Sequence, residues 1–247
     1  MTTRSVLKFV RSLHQKKVRE EERLYLAQGL RLIQELLRSG VPYVAIYSNE
    51  KAAAQFQVKD LEIVPQHEMD RIGTLESGNE IVAVVRTPIR NTPGVLRSDL
   101  SLALDGISDP GNLGTILRIA DWFGIDDVLC TTNSVEAFNP KCVQASMGAI
   151  FRVAVHYVDL PAQLGTLREN GATLYTASME GASVFEHELK KPAVLILGSE
   201  SHGLSEEVRS LGAELISIPG SGRSESLNVA MAASALSMEF FRQFRSA

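Results

Sequence analysis

Cysteine is scarce in this chain: Cys130 and Cys142 are the only two in 247 residues, and they stand in no metal-ligand spacing. That excludes a disulfide scaffold and makes a reducing, cytoplasmic setting the simplest expectation. Long apolar runs are also missing. No stretch approaches the ~18 consecutive apolar residues that a membrane-spanning helix needs. Met1 to Lys17 carries scattered charges and lacks the apolar core of a secretory leader, so neither a membrane nor export is expected. His14, His67, His156, His187 and His202 are dispersed, form no ligand set, and leave no metal site to expect. No Ser-His-Asp or Cys-His arrangement stands out. No Walker-type Gly-Lys-Ser/Thr occurs, and Gly106, Gly111 and Gly114 do not give the dinucleotide-binding spacing.

What remains is an ordinary globular composition, 45% apolar and 22% charged, long enough for one or two domains. The net charge of −4 argues against a nucleic-acid partner, but its distribution does not. The first forty residues hold nine basic and four acidic side chains, a local +5. A polyanion partner at that end is one reading, and a solvated helix face laced with Glu–Lys pairs is the other.

Those forty residues read as helix, with Val6, Phe9, Val10 and Leu13 on one stripe and Leu24, Leu26, Leu30, Ile33, Leu36 and Leu37 in a second apolar set. β-type runs follow at 43–47, 61–64 and 81–85. Thr87 to Gly94, with Pro88, Pro93 and Gly94, reads as a linker, and a division near residue 90 gives domains 1–90 and 91–247. Beyond it, strands near 100–104, 127–131, 153–155, 173–177, 194–197 and 215–218 alternate with helices, the last from about Ser226 to Phe244. This pattern predicts an α/β fold: a mostly parallel sheet with helices on both faces, after a small N-terminal α/β domain. Ligands in such sheets bind at the carboxyl ends of strands, which directs attention to the loops after residues 105, 177, 198 and 218.

Three of those loops carry residues suited to chemistry. Asp109-Pro110-Gly111-Asn112-Leu113-Gly114 leads into a helix whose apolar stripe leaves Arg118 aside. Asn112 there is either a helix cap or a functional amide. Gly198-Ser199-Glu200-Ser201-His202-Gly203 places a carboxylate at a strand's end. Ile218-Pro219-Gly220 through Ser226-Leu227-Asn228 enters the last helix, with Ser226 read as its cap. That helix is apolar on two sides, Leu227, Met231 and Met238 against Val229, Ala233, Leu236 and Phe240, which suggests burial against two surfaces.

Taken together, the three loops resemble the three motifs of the SpoU family of RNA ribose 2′-O-methyltransferases, within the TrmH-like SPOUT superfamily. Lys16-Lys17-Val18-Arg19 and Tyr25-Leu26-Ala27-Gln28-Gly29 resemble that family's small substrate-binding domain. The resemblance implies a trefoil knot and S-adenosylmethionine as methyl donor, held at Leu197, Gly198, Ile218, Ser226 and Leu227. It implies Arg118, Asn112, Glu200, Ser226 and Asn228 around the reacting ribose, and Lys16, Lys17 and Arg19 on the RNA. It further implies a homodimer through the C-terminal helix and structured RNA, ribosomal rather than transfer RNA, as substrate. Ser201 stands where the family usually has glycine, Gly220 where it has a bulky apolar residue, and Gln28 where glutamate is common. The first two departures leave a non-catalytic RNA-binding or ribosome-assembly factor as the alternative.

Overall fold

The computed structural model describes residues 3–58, 61–74, 79–92, 94–199, 202–222 and 226–246. The chain divides into two units, Met1–Ile89 with Glu136–Phe151, and Arg90–Val135 with Arg152–Ala247. A linear cut at residue 90 has no place for the return of 136–151 to the first unit, because nothing local in that segment marks which sheet it covers.

The first unit runs α1 (Arg4–Ser12), α2 (Lys16–Glu22), β1 (Leu24–Gln28), α3 (Leu30–Ser39), β2 (Tyr43–Ser48), α4 (Glu50–Ala53), β3 (Leu61–Ile63), α5 (Gln66–Ile72) and β4 (Ile81–Arg86). Its sheet has the order β1-β4-β2-β3, antiparallel except for β2 with β3. Side chains alternate across β1. Leu24 and Leu26 join Leu7, Val10 and Leu13 from the α1 region and Met69 and Ile72 of α5 in one core. Tyr25 faces the other way and meets Phe138, ring centroids 4.6 Å apart. The helix expected through Leu24–Gln28 is therefore corrected to a strand. Arg23 ends α2 in the left-handed region at φ 52°, and all five residues that follow are buried and paired with β4. A short continuous apolar run cannot be assigned to helix or strand by periodicity alone.

The second unit runs β5 (Leu100–Asp105), α6 (Pro110–Phe123) and β6 (Asp127–Thr131). The chain then joins the first unit for α7 (Pro140–Ala145) and a 3₁₀ turn (Ala149–Phe151). It re-enters the second for β7 (Ala154–Val158), α8 (Leu160–Glu169), β8 (Thr173–Ser183), β9 (Ala193–Gly198), α9 (Glu206–Arg209), β10 (Glu214–Ser217) and α10 (Val229–Ser246). Six strands in the order β10-β8-β9-β5-β6-β7 pair in parallel throughout. Leu160, Leu164 and Leu167 of α8 and Val208 of α9 pack on Ala103, Leu129, Val194 and Ile196. α6 and α10 pack on each other, burying Leu113, Ile116, Leu117 and Ala120 from one and Ala233, Leu236 and Phe240 from the other.

Two caps differ from expectation. α6 begins at Pro110, and its cap is Asp109, whose Oδ1 accepts from the Asn112 N–H at 2.9 Å. Asn112 thus lies inside the first turn. α10 begins at Val229, and Asn228 rather than Ser226 caps it, its Oδ1 accepting from Ala230 N–H at 3.0 Å and Met231 N–H at 3.4 Å.

Asp127, at the start of β6, is fully buried and takes hydrogen bonds from Arg97 Nε at 2.8 Å, from Arg97 Nη2 and from His156 Nε2 at 2.8 Å. Burial pushes its pKa up, but the hydrogen bonds from His156 and Arg97 and the Arg97 charge outweigh that and hold it at about 2 against an ordinary 3.8. A carboxyl depressed in the folded state stabilises it fully above its unfolded value, and that stability is lost as pH falls from about 3.8 through about 2. Asp127→Asn is expected to cost about 2 kcal/mol at pH 7 and to flatten the acid limb of stability against pH. Urea unfolding at pH 7, 4 and 2.5 checks it; an unchanged acid limb would remove Asp127 from the account.

Candidate active site

Strands β5, β9 and β10 each deliver a loop from the carboxyl end of the parallel sheet, and backbone pairing fixes their relation. Asp105 and Gly198 are register partners at the ends of β5 and β9. Past β9 the chain folds back tightly: Ser199 N–H donates to Gly203 O at 3.0 Å and Gly203 N–H to Ser199 O at 2.9 Å. Gly198 is required by this close approach, since a Cβ there would stand 2.4 Å from the Gly203 carbonyl carbon. The buried Asp105 then ties the first loop to the second. Its Oδ2 accepts from Ser205 N–H at 2.6 Å and Ser205 Oγ–H at 2.7 Å. Two loops about 100 residues apart in the chain are thereby held as one wall.

The second loop, through Gly198, Ser199, Gly203 and Leu204, bounds a cavity of about 590 Å³. Leu197, Gly198, Ile218, Ser226 and Leu227 all line it, so the five residues expected at the donor site are brought together. The lining extends to residues that sequence reasoning missed. Ala177, Ser178 and Met179 come from β8, and Val229, Ala232 and Leu236 from the inner side of α10. The loop after residue 177 was marked by the strand-end rule. Val229 lies in the third motif, but Ala232 and Leu236 carried no signal, because an apolar residue on a cavity wall reads like any core residue. Gly220 also lines the cavity, and a Cβ there would meet nothing within 4 Å. Glycine at this position therefore leaves space rather than answering a steric demand.

Beside the cavity, Asn228 Nδ2–H donates to Asn112 Oδ1 at 3.2 Å, which joins the first loop's helix to the third loop. Asn228 stands between the lining residues Leu227 and Val229. Arg118 lies six residues beyond Asn112 on α6, exposed, with no hydrogen bond or ion pair among the described residues. It does not line the cavity. Glu200, together with Ser201, lies outside the described residues. Cys130 is fully buried, and burial pushes its thiol up to about 12, so it offers no thiolate. Among the described residues no group of three or more His, Cys, Asp or Glu could hold a metal ion, and no helix is long and apolar enough to cross a membrane.

In the first unit the expected RNA residues divide. Lys16 and Lys17 have side chains 61% and 83% exposed and pair with Glu20 and Glu21 one turn on, at 3.6 and 3.8 Å. Arg19 is corrected: its side chain is 3% exposed, pairs with Glu136, and donates Nη1–H to the Leu13 and His14 carbonyls. It is spent inside the unit, since the backbone of α2 points residue 19 at the end of α1 rather than at solvent. Gln28 is likewise structural. Its amide donates to Asn79 Oδ1, and its Oε1 accepts from Thr74 N–H at 2.6 Å and Thr74 Oγ1–H at 2.8 Å.

Residues 99–238 match the model of the SpoU rRNA Methylase family, and residues 5–85 match the MRM3-like substrate binding domain. The 23S rRNA (guanosine(2553)-2′-O)-methyltransferase RlmP of Bacillus subtilis is 30% identical over 234 residues, covering 92% of each chain. Among solved structures, the SpoU methyltransferase AviRb of Streptomyces viridochromogenes in complex with AdoMet superposes with a TM-score of 0.88 at 26% identity, covering 99% of this chain and 100% of that one. The AdoMet-bound rRNA methyltransferase of Sinorhizobium meliloti gives 0.83 at 27% identity, covering 98% and 97%.

Proposed function

Because the chain belongs to the SpoU rRNA methylase family, we propose that it methylates a ribose 2′-hydroxyl in ribosomal RNA with S-adenosylmethionine as donor. The observation that carries this reading is the convergence of the β9 and β10 loops on one cavity, with Asn228 bonded to Asn112 beside it. The cavity fits the donor. Its volume is within the roughly 300–1,000 Å³ of small-molecule sites, and Leu197, Ile218, Leu227 and Val229 give it apolar walls against which a heteroaromatic ring can lie. When bound, the donor supplies a methyl group on a cationic sulfur, open to in-line displacement by an oxygen.

The chain's own residues do the rest. Leu197, Gly198, Ile218, Ser226 and Leu227 hold the donor by wall contact and backbone polar groups. Asn112 and Asn228 form one amide pair whose remaining polar atoms position the ribose, with Ser226 and Glu200 assigned to the same task. Arg118 brings a permanent charge and a planar fork suited to a phosphate. Alignment of this kind accounts for up to roughly 7–11 kcal/mol of a barrier. Lys16 and Lys17 are assigned to RNA, and Arg19 is not.

The reading extends to a homodimer through α10, supported by exposed apolar side chains on the packed α6–α10 pair, Trp122 at 83%, Met231 at 63% and Met238 at 57%. It includes the trefoil knot, supported by the superposition on SpoU methyltransferases over nearly the whole chain. It includes the cytoplasm, supported by the ribosomal substrate and two free, buried cysteines.

The test is transfer of labelled methyl from S-adenosylmethionine to ribosomal RNA of a strain lacking this protein, with the modified position mapped. Label is expected in a ribose, and label on a base or none at all would overturn the reading. Gly198→Ala presses a methyl against the backbone of Gly203 and Leu204, and overpacking of this kind costs about 1–3 kcal/mol. Calorimetry is expected to show donor affinity lowered by about tenfold or more.

A further inference from the structure

We propose that the exposed side of α1, carrying Arg4, Lys8 and Arg11, is a phosphate-contact surface for the RNA substrate, an inference that rests on the ribosomal RNA reading above. The three residues fall at i, i+4 and i+7, which puts them on one stripe spanning roughly 10 Å of helix. All three are exposed, while Leu7 and Val10 on the adjoining side are buried in the core of the first unit. The helix contains no acidic residue. None of the three cations forms an ion pair among the described residues, whereas Arg38 and Arg71, exposed in the same unit, pair with Glu35 and Glu68.

Taken alone, this arrangement is unfavourable. Like charges one turn apart repel, and Arg4 in the first turn opposes the helix dipole. A polyanion relieves both. A lipid surface fits less well, because a membrane-bound amphipathic helix inserts its apolar side, and in α1 that side is committed to the core.

The experiment uses full-length protein with Arg4→Gln, Lys8→Gln and Arg11→Gln combined, and measures binding to protein-free ribosomal RNA across a salt series. Each phosphate contact contributes about 0.7–0.9 to the slope of log K against log salt. The slope is therefore expected to become less steep by about 2–3, and affinity at 50 mM salt to fall by about tenfold or more. KM for RNA should rise while kcat and donor affinity hold. Arg4→Lys, Lys8→Arg and Arg11→Lys combined should restore the slope, and Arg38→Gln with Arg71→Gln should leave it nearly as in wild type.

An unchanged slope and affinity in the triple glutamine variant overturns the proposal, as does an equal loss in the Arg38, Arg71 control. Binding of wild type but not the variant to phosphatidylserine vesicles, with RNA binding unaltered, overturns it in favour of a membrane. If circular dichroism shows the triple variant misfolded, the three single variants are read instead, each expected to move the slope by about 0.7–0.9. RNA binding by wild type without methyl transfer overturns the catalytic reading and leaves the α1 surface to be judged by the slopes alone.

Discussion

Arg118→Ala is expected to lower kcat by about 10²–10³, the scale seen when one preorganised donor is removed from developing negative charge. Donor affinity should stay within about twofold, because Arg118 does not line the donor cavity. The reason lies in where α6 puts it. The buried stripe of α6 is Leu113, Ile116, Leu117 and Ala120, which turns Arg118 to solvent without a partner among the described residues. A guanidinium holds its proton too tightly to serve as the base that takes the hydroxyl proton. The role we propose for it is to grip the phosphate beside the reacting ribose and to stabilise the oxygen as charge develops. Arg118→Lys keeps the charge but not the two-pronged geometry, so it should recover only part of the rate. Neither variant should shift the pH–rate profile, since residue 118 is not the group that takes the hydroxyl proton. Single-turnover methyl transfer with saturating donor separates the cases. A kcat within threefold of wild type for Arg118→Ala would show that the residue is misassigned.

The sheet of the second unit was legible because its strands are short apolar runs bounded by Gly, Pro and Asp, and alternation with helices forces parallel pairing. β6 falls where expected, and the ends of the other strands shift by a residue or more, most of all β8, which continues to Ser183 because its outer half pairs with β10. β1 was illegible for the opposite reason. Leu24–Gln28 sits between helices and becomes a strand only through pairing with β4, nearly sixty residues on. Arg19 misled because a basic motif shows charge but not which way a helix turns it. Reading Ser226 as the cap of α10 misplaced it by two residues, since serine and asparagine both cap well and only the backbone geometry selects Asn228. The cavity residues Leu197, Gly198, Ile218, Ser226 and Leu227 were found through motif resemblance, whereas Ala177 to Met179 and the inner side of α10 needed the sheet to be closed around them.

The correction at Arg19 carries the other large effect. Its Nε–H and Nη2–H donate to Glu136 Oε1 and Oε2 at 2.9 and 2.6 Å, and its Nη1–H donates to the Leu13 and His14 carbonyls at 2.9 and 2.8 Å. One guanidinium thus closes the C-terminal end of α1 and anchors the returning segment 136–151 within the same unit. Arg19→Ala leaves a carboxylate that is 13% exposed without its counter-charge and two carbonyls without a donor. Breaking a buried pair in this way costs about 3–5 kcal/mol. Lysine cannot substitute, because a single ammonium has no geometry that serves the carboxylate and both carbonyls. Glu136→Gln should cost less, since Arg19 keeps its carbonyl partners. Arg19→Met with Glu136→Met should recover the part due to the stranded carboxylate but not the part due to the carbonyls. Urea unfolding, with hydrogen exchange of the α1 and α2 amides to locate the loss, measures each. The RNA readout distinguishes support from contact: Arg19→Ala should weaken RNA binding by loosening α1 while leaving the salt slope as in wild type, because residue 19 touches no phosphate. A loss below about 1 kcal/mol, or a slope reduced by a full contact, would return Arg19 to the RNA surface.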